Sequence, residues 1–204
     1  MKTLEQFVES IAAGTPAPGG GAAAAVTGAL AAALVAMVAR LTMGRPKYAA
    51  AEPEMYALAG EADRIRARLL ALAAEDAAAY AAVLEAARGT AGGEADRAAR
   101  QEQAWRHAAE VPLEVLQLSG EVCQLARRVA TTGNPNALGD AAMATSLALA
   151  VAEGSHLNLR LNLRSLAGRE QAEQMRREAD ALLDTAREET GQLGLLLEKA
   201  VPGS

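Results

Sequence analysis

Residues 22–39, AAAAVTGALAAALVAMVA, decide how this chain folds. Eighteen residues without a charge reach the length that flags a membrane-spanning helix. Their content speaks against that reading, because Ala, Gly and Thr dominate and Ala enters lipid far less readily than Leu, Ile or Phe. The stretch instead predicts the central helix of a bundle, touched by neighbours on every side, its small side chains allowing close approach. Just before it stands Thr15-Pro16-Ala17-Pro18-Gly19-Gly20-Gly21. Two prolines fix the approach, and three glycines clear the side chains where the backbone enters the helix. Open N–H groups at the positive end of a helix dipole attract a carboxylate, a phosphate or a polarised carbonyl. The same stretch also reads as a helix entry packed tightly against a neighbour, and no GK[ST] follows as a P-loop requires.

Working outward, the 204 residues suit one domain, 1–204, with a sizeable core. A hydrophobic fraction of 51% with only 2% aromatic residues, much of it Ala, points to close-packed helices. No window alternates β-branched residues as strands do, so the expectation is an all-α, single-domain bundle of about six helices. The first runs from a Thr3 cap through Leu4, Phe7, Val8 and Ile11 to a stop at Gly14. The second covers about 22–42 and ends at Gly44 and Pro46. The third starts near Pro53 and reaches Arg88, long enough to bend or break. The fourth starts near Glu94 and meets Pro112, which predicts a kink or a split. The fifth spans about 138–165 and the sixth about 169–199. Lys2 is followed by Glu5 and Glu9, with no separate basic segment or cleavage signal. The single cysteine, Cys123, excludes an internal disulfide and a cysteine-based zinc site, which agrees with a cytoplasmic location. A net charge of −5 argues against a general nucleic-acid binder.

Three polar groups stand out against this background. Asp76 has Tyr80 one turn later on an otherwise apolar face formed by Leu72, Ala73 and Ala79. Such a carboxylate is either satisfied by a buried donor or tuned for proton transfer. Gly133-Asn134-Pro135-Asn136 with Asp140 reads as turn and capping chemistry, or as amides and a carboxylate for a heterocycle edge. Asn158 and Asn162 lie one turn apart in a Leu-rich helix, as interhelical hydrogen-bonding residues or as ligand contacts. Asp140 and Asn158 are separated by about 27 Å along one straight helix, so they cannot touch one small ring within a single subunit. Arg45 and Lys47, on a Gly/Pro-broken turn, suit an anionic tail or proton transfer. Arg64, Arg66, Arg68, Arg127, Arg128 and Glu75 read as solvated charges. His107 and His156 show no metal-ligand spacing.

The ordered series Pro16-Ala17-Pro18-Gly19-Gly20-Gly21, Lys47-Tyr48, Asp76 with Tyr80, Val111-Pro112-Leu113, Gly133-Asn134-x-Asn136-x-x-x-Asp140 and Asn158-x-x-x-Asn162-Leu163 resembles the cyclodeaminase/cyclohydrolase family. That family includes the C-terminal domain of formiminotransferase-cyclodeaminase and stand-alone bacterial proteins of this size. Ala22 and Gly139 stand where members often carry Ser. The resemblance implies an all-helical homodimer acting on a reduced folate, with no metal, membrane or nucleic acid and no cofactor beyond the tetrahydrofolate substrate. The implied reaction is cyclodeamination of 5-formiminotetrahydrofolate to 5,10-methenyltetrahydrofolate with release of ammonia, a formiminotransferase being the implied partner. The alternative is methenyltetrahydrofolate cyclohydrolysis, and a third reading is a non-catalytic folate-binding or scaffold bundle. Asp76 and Lys47 are the implied catalytic pair. Pro18, Gly19, Gly20, Gly21, Tyr80, Asn134, Asn136, Asp140, Asn158 and Asn162 are the implied substrate contacts.

Overall fold

The computed structural model describes residues 3–89 and 93–200. Among these residues six α-helices follow one another: α1 (Leu4–Ala12), α2 (Gly20–Thr42), α3 (Glu52–Arg88), α4 (Glu94–Thr132), α5 (Leu138–Leu163) and α6 (Arg169–Ala200). Two 3-10 turns, Pro46–Ala51 and Pro135–Ala137, lie between them. Among the described residues there is no strand, as the Ala-rich and Leu-rich composition predicts. Thr3 caps α1 through a reciprocal box in which its hydroxyl accepts from Gln6 N–H and its N–H donates to the Gln6 side chain. Gly14 and Gly44 adopt φ of 71° and 68°, the left-handed region that lets a chain turn away from a helix end.

Helices α2 to α5 form an antiparallel ring. Gly20 faces Asn158, Gly28 faces Leu69 and Val151, and the Asn134 N–H donates to the Thr42 hydroxyl at 2.9 Å, which fixes α2 against both α3 and α5. Ion pairs step along α3 and α4 in opposite senses: Glu54 with Arg128, Arg64 with Glu121, Arg68 with Glu114. Helix α6 packs outside this ring on α4 and α5, with Arg127 paired to Glu189 and His156 Nε2 2.7 Å from Asp180 Oδ1.

The core sets large residues against small ones. Met55, Leu58, Ile65, Leu69 and Leu72 of α3 are fully buried against α2, whose buried positions are mostly alanine. Each such leucine contributes roughly 1.5–3 kcal/mol when removed from water. At Gly28 a methyl group would come within 3.2 Å of Leu69 Cδ1, so the helices meet where there is no side chain to separate them.

Four sequence expectations change in detail. Helix α2 does have the length and hydropathy of a membrane span, with a mean hydropathy of 2.2, so composition alone does not fail that test. Its packing against α3, α4 and α5 is what marks it as a core helix. Those neighbours cover three sides, while Leu30, Met37 and Leu41 form an exposed stripe on the fourth. Helix α4 passes through Pro112 unbroken, and α3 runs 37 residues without interruption. The arginines expected on solvated faces do stand there, and they also form ion pairs, Arg66 with Asp63 and Arg68 with both Glu75 and Glu114 among them.

Candidate active site

The glycine turn delivers the chain to α2 with Gly19 as a cap that has no side chain, so the first N–H groups of the helix face outward. Asp76, on α3, reaches this end. Its carboxylate accepts the Ala22 N–H, and burial pushes its pKa above the ordinary value of 3.8 while that hydrogen bond pulls the other way. A methyl group on Gly21 would overlap the Asp76 carboxylate, which explains the bare backbone at this position.

Around this contact lies a cleft of about 220 Å³. Gly19, Gly20 and Gly21 form one wall, Asp76 and Tyr80 a second, and Asn158 and Asn162 a third. Pro16 and Ala17 of the turn face the cleft; Pro18 does not line it. Trp105 and Pro112 of α4 close the remaining side. Trp105 escaped the sequence reading, although it is the only tryptophan in a chain with very few aromatic residues, and that rarity was its signal. Among the described residues, Asp76 is the only carboxylate lining the cleft.

Asn162 and Pro112 are connected. A proline has no N–H to give to the carbonyl four residues back, so α4 leaves the Ala108 carbonyl without its helical partner. Asn162 Nδ2 donates to that carbonyl at 2.6 Å. Asn162 is thus an interhelical hydrogen-bonding residue that also borders the cleft. Asn158 has no protein hydrogen-bond partner among the described residues, so its amide is open to a ligand.

The remaining predicted residues gather at the other end of α2, about 33 Å away along its axis. Lys47 is exposed, with Nζ 5.4 Å from the Tyr48 ring centre. The Asn134 amide oxygen accepts the Asn136 N–H at 3.1 Å and the Tyr48 hydroxyl at 3.4 Å, so its turn role is real and its NH2 group is left free. Asp140 lies in the first turn of α5. One chain therefore does not bring Lys47, Asn134, Asn136 or Asp140 to Asp76. At the two positions where family members often carry Ser, Ala22 keeps its backbone contact with Asp76, and Gly139 has open space around it. Cys123 is buried, and desolvation pushes its thiol up to about 11. Among the described residues no three His, Cys, Asp or Glu side chains group as a metal site.

The formiminotransferase-cyclodeaminase family matches this chain over residues 3–181. The chain belongs to that family. A relative of similar length, the methenyltetrahydrofolate cyclohydrolase of Methylorubrum extorquens, is 37% identical over 188 residues, which are 91% of this chain and 90% of that protein. The formimidoyltransferase-cyclodeaminase of Mus musculus is 31% identical over 167 residues, 80% of this chain but 31% of that longer protein. A crystal structure of formiminotetrahydrofolate cyclodeaminase from Thermotoga maritima superposes with a TM-score of 0.84 at 27% identity, covering 96% of this chain and 98% of that one. The helical architecture described above is shared with that structure.

Proposed function

We propose that this protein is an enzyme that opens or closes the one-carbon bridge between N5 and N10 of a tetrahydrofolate, and that hydrolysis of the 5,10-methenyl bridge is its principal reaction. The observation that carries this is Asp76: a half-buried carboxylate in a cleft beside open amides, its pKa raised by burial above that of an ordinary carboxylate. Its charge attracts the cationic methenyl centre, and desolvation strengthens that attraction. Water attacks the bridging carbon as Asp76 removes one of its protons. The resulting carbinolamine then breaks one C–N bond, Asp76 returns the proton to the departing nitrogen, and the hydroxyl proton leaves to solvent, giving a formyl group on the other nitrogen. One carboxylate suffices for this sequence, and the 37% identity to a cyclohydrolase of the same length favours it.

Cyclodeamination is the second reading, favoured by the fold match to the Thermotoga maritima enzyme. There N10 attacks the formimino carbon, the base takes the N10 proton and returns it to the formimino nitrogen, and a second proton from solvent lets that C–N bond break, so that ammonia leaves and the methenyl cation forms. Neither route requires a cofactor beyond the substrate. Incubating the purified protein with 5,10-methenyltetrahydrofolate should speed the loss of methenyl absorbance far above the buffer rate. If it instead forms methenyl absorbance and ammonia from 5-formiminotetrahydrofolate, cyclodeamination replaces hydrolysis. Neither activity, with folate still bound, would make this a binding bundle.

The acting unit of this reading is a cytoplasmic homodimer. Leu30, Met37 and Leu41 on α2 lie beside a second exposed apolar stripe on α5, Met143, Leu157 and Leu161. Leu4 and Val8 of α1 are also uncovered. A two-fold axis in the plane of the α2/α5 face and perpendicular to the helices pairs these stripes. The same operation sets the partner's Lys47, Asn134 and Asp140 opposite Asp76 and Asn158, so the two half-sites become one. A formiminotransferase supplying the formimino substrate belongs to the cyclodeaminase reading alone.

A further inference from the structure

The Asp76 cleft is one-sided in its charge. Among the described residues, no Lys, Arg or His of this chain lines it, and Asp76 supplies its one formal charge. Two aromatic rings, Tyr80 and Trp105, line it as well. Tyr80 is 39% exposed, whereas Trp105 is half-buried and packs in part against the hydrophobic core. Among the described residues Trp105 has no hydrogen-bond partner and no cation over its ring, while the exposed Lys47 does stand near the Tyr48 ring.

The packing of α3 on α4 sets Trp105 close to the level of Asp76. Arg68 of α3 pairs with Glu114 of α4, and further along Gln101 Nε2 donates to the Ala86 carbonyl. Between these two rungs Asp76 comes level with Ala108, and Trp105 lies one turn away on the same face of α4. A carboxylate and an indole therefore border one small space of about 220 Å³. A flat cation satisfies both. The carboxylate attracts its charge, the electron-rich face of an indole attracts a cation more than any other side-chain ring does, and partial burial weakens the screening of each attraction by water. A neutral group gains little from the same pair. The 5,10-methenyl bridge is such a cation, its charge shared over N5, the bridging carbon and N10, and the formyl product carries no charge there.

We infer that Trp105 is a specificity residue for the one-carbon centre: its indole takes the cationic bridge by a cation–π contact, across from the Asp76 carboxylate, so that the cleft prefers a charged bridge to a neutral one. This rests on the folate reading above, and its test separates the two. The contact is strongest in the bound substrate and fades as water adds to the carbon and the charge disperses, so weakening it raises KM and does not lower kcat. Because the chain has one tryptophan, growing the protein on 5-fluoro-, 5,6-difluoro- or 5,6,7-trifluorotryptophan changes this ring alone, drawing electrons from its face with little change in size. The KM for 5,10-methenyltetrahydrofolate should climb with each fluorine, to about tenfold for three, while inhibition by 10-formyltetrahydrofolate stays the same. A KM that ignores fluorination, product inhibition that weakens in step with it, or a kcat that falls while KM holds would each overturn the contact and leave the reaction standing. Independently of any reaction, the fluorine NMR resonance of the 5-fluorotryptophan protein should shift saturably with N,N′-dimethylformamidinium, a fragment of the bridge, and should not shift with neutral N-methylformamide. A shift with both fragments, or with neither, would overturn the contact. A shift with the amidinium alone, in a protein that turns over neither folate, would support the contact and count against the reaction.

Discussion

Gly21 and Asp76 occupy space that only one of them can fill. A methyl group at Gly21 must displace the Asp76 carboxylate, and because that group ends a rotatable side chain the displacement is sterically cheap. Gly21→Ala is therefore expected to cut kcat at least about tenfold by misplacing the base, with melting temperature shifted by only a few degrees. Asp76→Asn tests the charge itself. Burial raises the Asp76 pKa above 3.8, so its ionised form costs stability in the fold that the unfolded chain does not lose. That cost is absent below the unfolded pKa and is felt fully once the pH has risen through the folded one. The Asn variant should accordingly be inactive yet melt higher than wild type at neutral pH, and the two melting curves should converge as the pH falls toward 3.8. Wild-type turnover by the variant would remove Asp76 from the mechanism. This carboxylate was legible in the sequence because an acid on a face of Leu72, Ala73 and Ala79 must find a partner; that the partner is the Ala22 N–H was not, since the pairing joins residues 54 apart in sequence.

At the scale of elements, Pro112 and Asn162 form one unit built from two helices. Removing the amide with Asn162→Leu leaves the Ala108 carbonyl unpaired and should cost about 1–3 kcal/mol in denaturant unfolding. Pro112→Ala restores the missing N–H, so in that background the same Asn162 change should cost far less. A double-mutant cycle with no coupling would refute the connection. The helices themselves were readable, because Gly14, Gly44, Pro46 and Gly89 interrupt the pattern where helices end and Ala and Leu fill the spans between. The split that Pro112 suggested did not occur, because a side chain from another helix supplies the hydrogen bond that local sequence cannot.

For the whole molecule, the antiparallel arrangement of α2 and α5 places the two groups of predicted site residues at opposite ends. The spacing along α5 already required this for Asp140 and Asn158; the company each keeps, Lys47 with Asn134 and Asp76 with Trp105, depends on tertiary packing alone. The proposed dimer makes a direct prediction. Lys47→Ala and Asp76→Asn proteins, each of low activity, should regain up to about a quarter of wild-type turnover per site when unfolded and refolded together, because mixed dimers contain one intact composite site. Failure to recover activity while mixed dimers form by mass spectrometry would place Lys47 and Asp76 in separate functions. A charge at Leu30, as in Leu30→Glu, should leave a folded monomer with little activity, read by light scattering.

Trp105 gives the cleft an optical property. It is the only indole in the chain and it lines the wall opposite the α2 glycines. All tryptophan emission therefore originates beside Asp76, and a pterin entering there will quench or shift it without any turnover. Titrating folates against this signal would measure occupancy in inactive variants as readily as in the wild type.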